Sequence, residues 1–442
     1  MADTPFRSPY DYGYHKVSIS ANSRFGTVDI SNNVNEVVFY ESITQPYISG
    51  ELMIVDVNNI SNHVNFLGQE RLHITMFTPE NEKFIDRHFV VTGLTKQSKA
   101  NDHTSIIILS FIEEHVINSE LTRISKTFEG KPEVIATDVL SEINKTVRTD
   151  TSSQNQIRYI APYTTRPLDI AIMMANRATT IDGIPFFLYA SLYEDDLILE
   201  SFDTMLNKAK IYNQDFIYTV STGNTVEEDL VAGGRQIKSM SISHNEDISR
   251  LLRNNVFGSQ HLWLDTNKTI PTELRQRYTE TISKMPTPNG LINYDETFTI
   301  GEKPFHEGVS EVTSSITTCS LFDGILSISE EPISDDHMKK AKANSLRLSM
   351  AKSQADIIIP GFHLMQGKQI TGRTIDIFVQ KNMAALEDKD ATEHKIMDKK
   401  LSGTYLIFST RHQFKNTKYE ASLNITKYDN KNSLGQEQVN VI

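Results

Sequence analysis

Polar and apolar residues alternate most regularly near the end of the chain, in the stretch LSGTYLIFSTRHQFKNTKYEASLNITK (401–427). A period of two is typical of a half-buried β-strand, because successive side chains of a strand point to opposite faces. The polar turn KNTK divides the stretch, which therefore predicts an antiparallel hairpin. The residues of the second strand that would share its buried face are Tyr419, Ala421, Leu423 and Ile425.

The first 115 residues also follow the pattern of β-strands. Gly, Pro, Asn and Asp separate short apolar or alternating runs at the spacing expected of a small sheet or barrel. We predict strands at 14–20, 35–43, 50–57, 71–77, 88–94 and 104–112.

The pattern becomes helical after residue 115. We predict helices within 116–148 and 165–180, most clearly in PLDIAIMMANRA, where apolar residues recur every three or four positions. The segment IPFFLYASLYEDDLILESF (184–202) then predicts a second hairpin, with the acidic run EDD (194–196) at its turn. Together these segments predict a small α/β module.

The pattern is less regular between residue 203 and the final sheet. A polar stretch with glycines (222–234) predicts a loop, and turn-forming residues at 286–308 predict an extended connection. Ser334 is a candidate N-cap for a helix to about residue 353, with two aspartates in its first turn. The remaining predictions are strands at 238–244 and 260–265 and helices near 246–256 and 272–284.

The carboxy-terminal hairpin has a counterpart in the first part of the chain. In both 88–114 and 403–428 an apolar strand that ends in basic or amide residues precedes a Lys/Asn-rich turn and an alternating strand. The preceding segments, 66–77 and 364–378, also match, because in each a Gly after large apolar residues leads into a strand. Only the carboxy-terminal pair of segments is interrupted by an extra charged stretch, 381–400. Any two hairpins share some of this pattern, but the common order of Gly, strand and hairpin favours two related β domains.

We therefore predict a mixed α+β, mainly β fold, with two similar small antiparallel β-barrel domains, an inserted α/β module and additional irregular segments. A length of 442 residues is consistent with several domains, because single cores stop growing near roughly 250–300 residues. The predicted boundaries are 1–115 for the first barrel, 116–235 for the inserted module, 236–265 with 340–430 for the second barrel, 266–339 for a helical or irregular insertion and 431–442 for a tail.

The composition limits the class of protein. With 38% hydrophobic residues and no run of the roughly 18 apolar residues that a membrane-spanning helix requires, we expect a globular chain without membrane insertion. The first residues lack the apolar core of a secretory signal, and the single cysteine, Cys319, permits no intramolecular disulfide, which suits a reducing cytosol. The net charge of −12 argues against a nucleic-acid clamp but suits a conduit past which nucleic acid slides.

Candidate catalytic and metal-binding residues are few. Glu113–Glu114 and Asp195–Asp196 are adjacent carboxylates, whereas a glycosidase pair must flank its bond from two sides at about 5–9.5 Å. We expect both pairs to lie at solvated turns. His337 follows two aspartates and could suggest a metal ligand set, but those aspartates would equally complement a helix N-terminus. No catalytic, cofactor-binding or metal-binding residue is therefore predicted.

Four stretches together carry a family resemblance that spans most of 39–428. They are FYESITQPYISGELMIVDVNNISNHVNFLGQERLHITMF (39–77), PLDIAIMMANRATTIDGIPFFLYASLYEDDLILES (167–201), DIIIPGFHLMQGKQI (356–370) and the closing hairpin with its SG-x-Y-L-I and H-x-F sequences. They resemble segments of the baseplate central hub proteins of contractile-tailed phages. These hubs share their fold with the N-terminal part of the type VI secretion spike protein. Residues 266–334 depart from the family pattern.

The resemblance implies a structural protein without enzymatic activity. Such hubs are homotrimers in which two similar barrels per chain form a pseudo-sixfold ring. The ring adapts a hexameric tail tube to a trimeric central spike and forms part of the DNA channel, through which viral DNA passes without specific binding. The implied partners are further copies of the chain, tail tube and tube-initiator proteins, the central spike protein and baseplate wedge proteins. The implied location is the virion tail baseplate, after folding and assembly in the host bacterial cytoplasm.

A second class of function stays open on the residues alone. The chain could be a soluble cell-wall hydrolase of the glycosidase type, in which the fold would have to bring separate carboxylates together.

Overall fold

The computed structural model describes most of the chain. The described residues are 8–12, 15–20, 26–57, 60, 64, 66, 68–78, 84–101, 103–153, 156–219, 230–244, 258–264, 271–277, 287–288, 299–300, 303–304, 314–318, 325–327, 333–350, 353–365, 367–380, 397–398 and 401–429. The predicted helix near 246–256, Cys319, most of 381–400 and the predicted tail lie outside them.

The amino-terminal part is built from strands. They are β1 (His15–Ser20), β2 (Thr27–Asp29), β3 (Val34–Ser42), β4 (Gln45–Asp56), β5 (Arg71–Met76), β6 (Ile85–Asn101) and β7 (Thr104–Glu113). All six strands predicted in this part are confirmed, although β6 continues well beyond its predicted end at residue 94.

Helices dominate the middle of the chain. The elements, which we call the α/β module, are α1 (Glu114–Leu121), β8 (Thr127–Gly130), α2 (Pro132–Ser141), β9 (Val147–Thr149), β10 (Ile157–Ile160), α3 (Pro167–Arg177), β11 (Phe186–Ser191), β12 (Glu194–Ser201) and α4 (Phe202–Asn207). Helices α2 and α3 each begin at a proline, which is tolerated there because the first helical N–H groups have no intrahelical acceptor. The helical prediction is confirmed in α1–α3, and β8 interrupts it.

The remaining elements complete the sheet. They are β13 (Phe216–Tyr218), α5 (Leu230–Gly233), β14 (Ser239–His244), β15 (Gly258–Leu264), β16 (Pro271–Arg277), β17 (Thr287–Pro288), β18 (Thr299–Ile300), β19 (Lys303–Pro304), β20 (Ser314–Thr318), β21 (Ile325–Ser327), α6 (Ile333–Met350), β22 (Ser353–Pro360), β23 (Thr374–Val379), β24 (Gly403–Lys415) and β25 (Lys418–Asp429). Short 3-10 helices lie at Ser31–Asn33 and Phe362–Leu364.

A 14-stranded sheet joins the two ends of the chain. Its main order is β14-β22-β25-β24-β3-β4-β7-β6-β5-β1-β2, with β13, β17 and β23 attached beside it. The central junction is the antiparallel pairing of β24 with β3, which runs from Ser409 opposite Ser42 to Lys415 opposite Glu36. Smaller sheets are β21-β10-β8, β11-β12-β9, β16-β15-β20 and β18-β19.

Five strands on each side of this junction share one pairing order. In the first β unit, defined as β3–β7, the neighbours run β3-β4-β7-β6-β5. In the second β unit, defined as β14 and β22–β25, they run β14-β22-β25-β24-β23. All of these pairs are antiparallel. The similarity of the two hairpins in the sequence therefore extends to the topology around them.

The two units also share an irregularity. The pairing of β6 with β7 shifts register between Val91 and Gly93, and the pairing of β24 with β25 shifts between Ile407 and Ser409. In the hairpins these two bulges occupy matching positions, because Val91 lies opposite Phe111 as Ile407 lies opposite Ile425. Bulges re-aim a strand and are kept as defined features. In both units the long strand continues past its bulge after its pairing with one neighbour has ended, at Val90 for β6 with β5 and at Leu406 for β24 with β23.

Aromatic rings fill the core at the central junction. Phe39 of β3 packs against Phe89, Phe111 and Phe414 at centroid distances of 5.7, 5.7 and 6.1 Å. Phe414 in turn stacks on Tyr419 at 4.2 Å. All five rings are buried, so the two β units share one apolar core.

The predicted mixed α+β, mainly β fold is confirmed. The prediction of two barrels differs from the structure in one respect. The strand pairing of the described residues forms open sheets and no closed barrel. The units are instead continuous with each other through β24 and β3. The exact domain boundaries given above stay predictions.

Two local predictions in the insertion are wrong. The segment near 272–284 is predicted helical, but Pro271–Arg277 forms β16 and pairs with β15. Its Glu, Leu, Arg and Gln residues favour helices, and strand pairing overrides that weak preference. Strands β16–β21 likewise fall within 266–339, for which the sequence predicts helical or irregular structure.

Three boundary predictions are also wrong. The turn of the 184–202 hairpin is Leu192–Tyr193, and residues 194–196 already belong to β12. Ser334 lies inside α6, which begins at Ile333, instead of at its N-cap. The predicted loop 222–234 contains the short helix α5. The two residues of this turn, Leu192 and Tyr193, pack into the core. The sequence prediction missed them because turn residues are usually polar and exposed.

We expect Gly361→Ala to destabilise the protein by roughly 1–3 kcal/mol, because a Cβ at this position would lie 1.9 Å from Cδ1 of the buried Tyr419 ring. Gly93→Ala is the matched control, since nothing lies within 4 Å of its added Cβ. Urea unfolding of both variants and the wild type measures the difference. Equal stability of the two variants would contradict the packing inferred around Tyr419.

Candidate functional site

A buried polar cluster lies where the two β units and the α/β module meet. Glu41 of β3 is at its centre: Oε1 accepts a hydrogen bond from the Thr371 hydroxyl at 2.6 Å, and Oε2 accepts one from the Leu192 N–H at 2.9 Å. Nε2 of His412, on β24, lies 3.3 Å from Oε1, and both side chains are fully buried. These four residues, the Glu41 cluster, join the first unit, the second unit and the module through one carboxylate.

The Glu41 carboxylate stays charged in this site. Burial by itself raises the pKa of Glu41, but the His412 ring, the Thr371 hydroxyl and the Leu192 N–H together outweigh it, and the pKa is lowered. A buried charge of this kind requires all of its partners, because an unpaired buried carboxylate is costly.

Two tyrosines extend the cluster toward the module. Nδ1 of His412 lies 2.7 Å from the Tyr419 hydroxyl, which lies 3.5 Å from the hydroxyl of Tyr193 in the β11–β12 turn. Burial raises the pKa of both tyrosine hydroxyls, so they remain protonated and can donate. The hairpin of the module is thereby fixed against the second unit.

A second buried cluster ties the module to the first β unit. Nη2 of Arg87, on β6, donates to Oε1 of Glu113 at 2.7 Å, and Nη1 donates to Oδ1 of Asp195 at 2.5 Å. The Lys145 ammonium lies 3.3 Å from Glu113 Oε1, and the Ile48 N–H donates to Oε2 at 2.7 Å. The side chains of Arg87 and Glu113 are 6% and 5% exposed, so this Glu113 cluster is a buried ion-pair network.

The partners of Glu113 hold its carboxylate in the charged form. Burial raises the pKa of Glu113, but the charges of Lys145 and Arg87, with smaller contributions from His115 and the Ile48 N–H, reverse the effect and lower it. A general acid needs a raised pKa, so Glu113 does not fit the acid of a glycosidase.

A polar cleft of about 550 Å³ opens beside this cluster. Its lining includes four carboxylates, namely Asp86, Glu113, Glu114 and Asp195, and the two cations Arg87 and Lys145. Glu114 pairs with Arg71 at 2.8 Å, and Asp86 with His73 at 2.5 Å. Among the described residues no group of three or more His, Cys, Asp or Glu is arranged to hold a metal ion.

Arg347 attaches α6 to the module. Its guanidinium donates to the carbonyls of Ala175, Asn176 and Phe186 at 3.3, 3.1 and 2.9 Å, where α3 ends and β11 begins. A cation at a helix C-terminus complements the helix dipole and satisfies its last carbonyls. Burial lowers the pKa of Arg347 to about 10, so it remains charged at pH 7.

Several strand edges of the large sheet, including the outer edge of β2, have no strand partner among the described residues. Two such edges belong to the β units. Strand β6 pairs with β5 only through Ile85–Val90. Its side chains alternate between buried and exposed up to Thr92, and from Leu94 to Asn101 every side chain is exposed or half-buried. Strand β14 pairs with β22 on one side only. We call Leu94–Asn101 the β6 free edge and the outer side of Ser239–His244 the β14 free edge.

No protein-family model and no curated protein matches the sequence. Solved structures do match. The tail protein from Neisseria meningitidis MC58 aligns with a TM-score of 0.54 and 11% identity, over 94% of this chain and 97% of that one. The 43 kDa tail protein of prophage MuSo2 from Shewanella oneidensis aligns with a TM-score of 0.52 and 11% identity, over 94% of this chain and 100% of that one. The chain has the fold of these phage tail proteins.

The resemblance inferred from the sequence is thus confirmed at the level of the tail-protein fold. The E. coli c3393 protein also aligns, with a TM-score of 0.40 and 8% identity, over 90% of this chain and 74% of that one. That protein is a component of the type VI secretion system with structural similarity to the T4 bacteriophage tail proteins gp27 and gp5. None of the described helices of this chain is long and apolar enough to cross a membrane.

The carboxylates singled out in the sequence have different environments. The expectation of a solvated turn is wrong for Glu113, which is buried because Arg87 and Lys145 neutralise it. The Asp195 side chain is 90% exposed, as expected, although it lies on β12 and contacts Arg87. The fold therefore brings Glu113 and Asp195 to one guanidinium. His337 lies on α6, and its side chain falls outside the described residues.

Arg87 is the residue that sequence reasoning missed. In β6 it shares the buried face with Ile85, Phe89 and Val91, so a cation stands in an apolar alternation. A charge at such a position is rarely buried unless it is paired. The cation on the apolar face of β6 was therefore the signal in the sequence for a buried ion pair.

We expect Arg87→Ala to cost about 3–5 kcal/mol of unfolding free energy, because it leaves Glu113 buried with one cation fewer. Arg71→Ala is the control: its pair with Glu114 is exposed, so its loss should cost less than about 1 kcal/mol. Chemical unfolding of the two variants measures both values. Similar small losses would show that the Glu113 cluster does not hold the module in place.

We expect stability to fall in acid, in part through Glu113. Its pKa is lowered in the folded state, so its contribution is complete above the unfolded pKa of about 4.3 and is lost as the pH falls through the folded pKa. Unfolding free energies of the wild type and Glu113→Gln between pH 7 and pH 3.5 test this. The variant should be less stable at pH 7 and should lose less on acidification. An equal slope for both proteins would argue against a charged Glu113.

Proposed function

We propose that the chain is the central hub of a contractile phage tail baseplate. In this proposal three copies form a ring that adapts a hexameric tail tube to a trimeric central spike. Its partners are tail tube and tube-initiator proteins, the spike protein and baseplate wedge proteins. The hub acts in the virion tail after folding and assembly in the host cytoplasm. The shared tail-protein fold, over nearly the full length of both chains, supports this role.

The repeated pairing order is the observation that carries the proposal. One chain contributes two β units of the same topology, joined edge to edge by β24 and β3. Three chains therefore contribute six similar units, which suit a hexameric neighbour. The α/β module occurs once per chain and supplies three equivalent positions, which suit a trimeric neighbour. A closed ring of this kind needs heterologous interfaces whose rotation closes.

A structural role also agrees with the chemistry of the buried clusters. Glu41 and Glu113 have lowered pKa values and several fixed partners, so they serve to hold elements together. The net charge of −12 is compatible with a lumen that viral DNA passes without specific binding, because repulsion limits adhesion to phosphates. No observation favours the cell-wall hydrolase over this role.

Native mass spectrometry of the purified chain, alone and co-expressed with a spike protein, tests the proposal. We expect a trimer in at least one of the two samples. Leu423→Asp should abolish it, because Leu423 is 1% exposed on β25 and a buried carboxylate there would disrupt the second unit.

Ser422→Asp, on the opposite face of the same strand, is the control and should still assemble. A wild-type chain that stays monomeric in both samples would refute the hub. Peptidoglycan cleavage by that monomer would support the hydrolase instead.

A further inference from the structure

We propose that Lys208 and Gln369 form an intramolecular isopeptide bond, an amide between their two side chains, with loss of ammonia. Lys208 directly follows α4 of the α/β module, and Gln369 precedes β23 in the second β unit. The bond would therefore tie the module covalently to the second unit within each chain. This inference does not depend on the proposed function, because every group that it uses belongs to one copy of the protein.

Three of the side chains involved project from one face of the small sheet β11-β12-β9. Tyr189 of β11 and Arg148 of β9 both lie opposite Ile198 of β12, on its two sides. Glu200 is two residues further along β12, and residues two apart on a strand share a face. The Lys208 ammonium contacts the Glu200 carboxylate from the end of α4. The sheet thus gathers a carboxylate, a phenol and a guanidinium around one amine.

The amide of Gln369 is held in one orientation above this face. Its Nε2 donates to the Tyr189 hydroxyl and to the Thr371 carbonyl, the latter at 2.8 Å. Its Oε1 accepts a hydrogen bond from Nζ of Lys208 at 3.1 Å, and Nη2 of Arg148 lies 3.5 Å from the same oxygen. Two cations therefore polarise the carbonyl, and the amine lies beside the carbon atom that it would attack.

Glu200 is placed to act as the base. An amine becomes a nucleophile when a neighbouring group takes its proton, and the Glu200 carboxylate is in contact with Nζ of Lys208. The Glu200 side chain is 0% exposed and that of Lys208 is 20% exposed. Water is therefore largely excluded from the pair, which limits hydrolysis of the amide and keeps the two reacting side chains in contact.

Tyr189 connects the base to the leaving group. Its hydroxyl donates to Glu200 and accepts from Nε2 of Gln369, so one hydroxyl touches both. Burial raises the pKa of Tyr189 well above its usual range, so the hydroxyl keeps a proton that it can pass on. Gly372 leaves room for this arrangement, because a Cβ there would lie 2.6 Å from the Tyr189 hydroxyl oxygen.

These groups account for each step of the bond formation. Glu200 takes one proton from the Lys208 ammonium, and the resulting amine attacks Cδ of Gln369. Arg148 stabilises the negative charge that develops on Oε1. The Cδ–Nε2 bond then breaks while Nε2 takes a proton from Tyr189, which Glu200 replaces, and ammonia leaves. Nζ keeps one hydrogen and releases its last proton to solvent, so neither an oxidant nor a reductant is needed.

The intact mass of the denatured full chain tests the proposal. We expect it to be lower than the mass calculated from the sequence by one ammonia molecule. Proteolysis should release a branched peptide that joins Lys208 to Gln369. A chain with its full calculated mass would contain only the ion pair and the hydrogen bond, and would overturn the proposal. Loss of one water instead would place the bond on the Glu200 carboxylate and would overturn it as well.

Variants of the two reacting partners locate the source of the ammonia. Lys208→Arg keeps a cation beside Glu200 but removes the primary amine, and Glu200→Gln removes the base. Both should have their full calculated masses, with circular dichroism to check that they fold. Lys210→Arg is the matched control, because Lys210 pairs with Asp376 close by and should leave the ammonia loss intact. An ammonia loss that persists in Lys208→Arg would arise elsewhere in the chain and would refute the bond.

The masses of denatured and native samples separate this inference from the proposed function. A native trimer built from chains of full calculated mass refutes the isopeptide bond and leaves the hub intact. A chain that lacks one ammonia but stays monomeric, alone and with a spike protein, refutes the hub and leaves the bond intact.

Discussion

The antiparallel pairing of β24 with β3 is the contact on which the rest of the structure depends. It sets residues 409–415 beside residues 36–42, near opposite ends of the chain, and makes one sheet of two β units. Closing so long a loop costs conformational entropy before any contact compensates for it. Burial of Phe39 and Phe414, which are 0% and 1% exposed, stabilises this central junction through apolar contacts.

The buried charges decide which arrangement of the sheet is allowed. A one-residue slip of β3 would turn its buried apolar side chains to the other face, and it would also turn Glu41 away from His412, Thr371 and Leu192. An uncompensated buried carboxylate is costly, whereas the intact pair adds little net stability. The Glu41 cluster therefore contributes mainly to specificity. The Glu113 cluster does the same for the position of the α/β module against the first unit.

Local patterns predicted local structure well and long-range partners poorly. The alternation in 401–427 and the apolar stripe of PLDIAIMMANR correctly indicated β24–β25 and α3, because burial of one face imposes a period. The segment 271–277 was misassigned because its strand identity comes from pairing with β15, which helix propensity does not register. The joining of Glu113 to Asp195 through Arg87 depends on the packing of the module and has no local signature. The shared bulges likewise become visible only in the pairing.

A chain with open strand edges must avoid adding strands without limit. Natural edges are protected by charge, by bulges and by twist. The β6 free edge carries Lys96 and Lys99, and within it the pairing with β7 shifts register at two places. These features weaken indiscriminate pairing of the β6 free edge with the strands of other molecules.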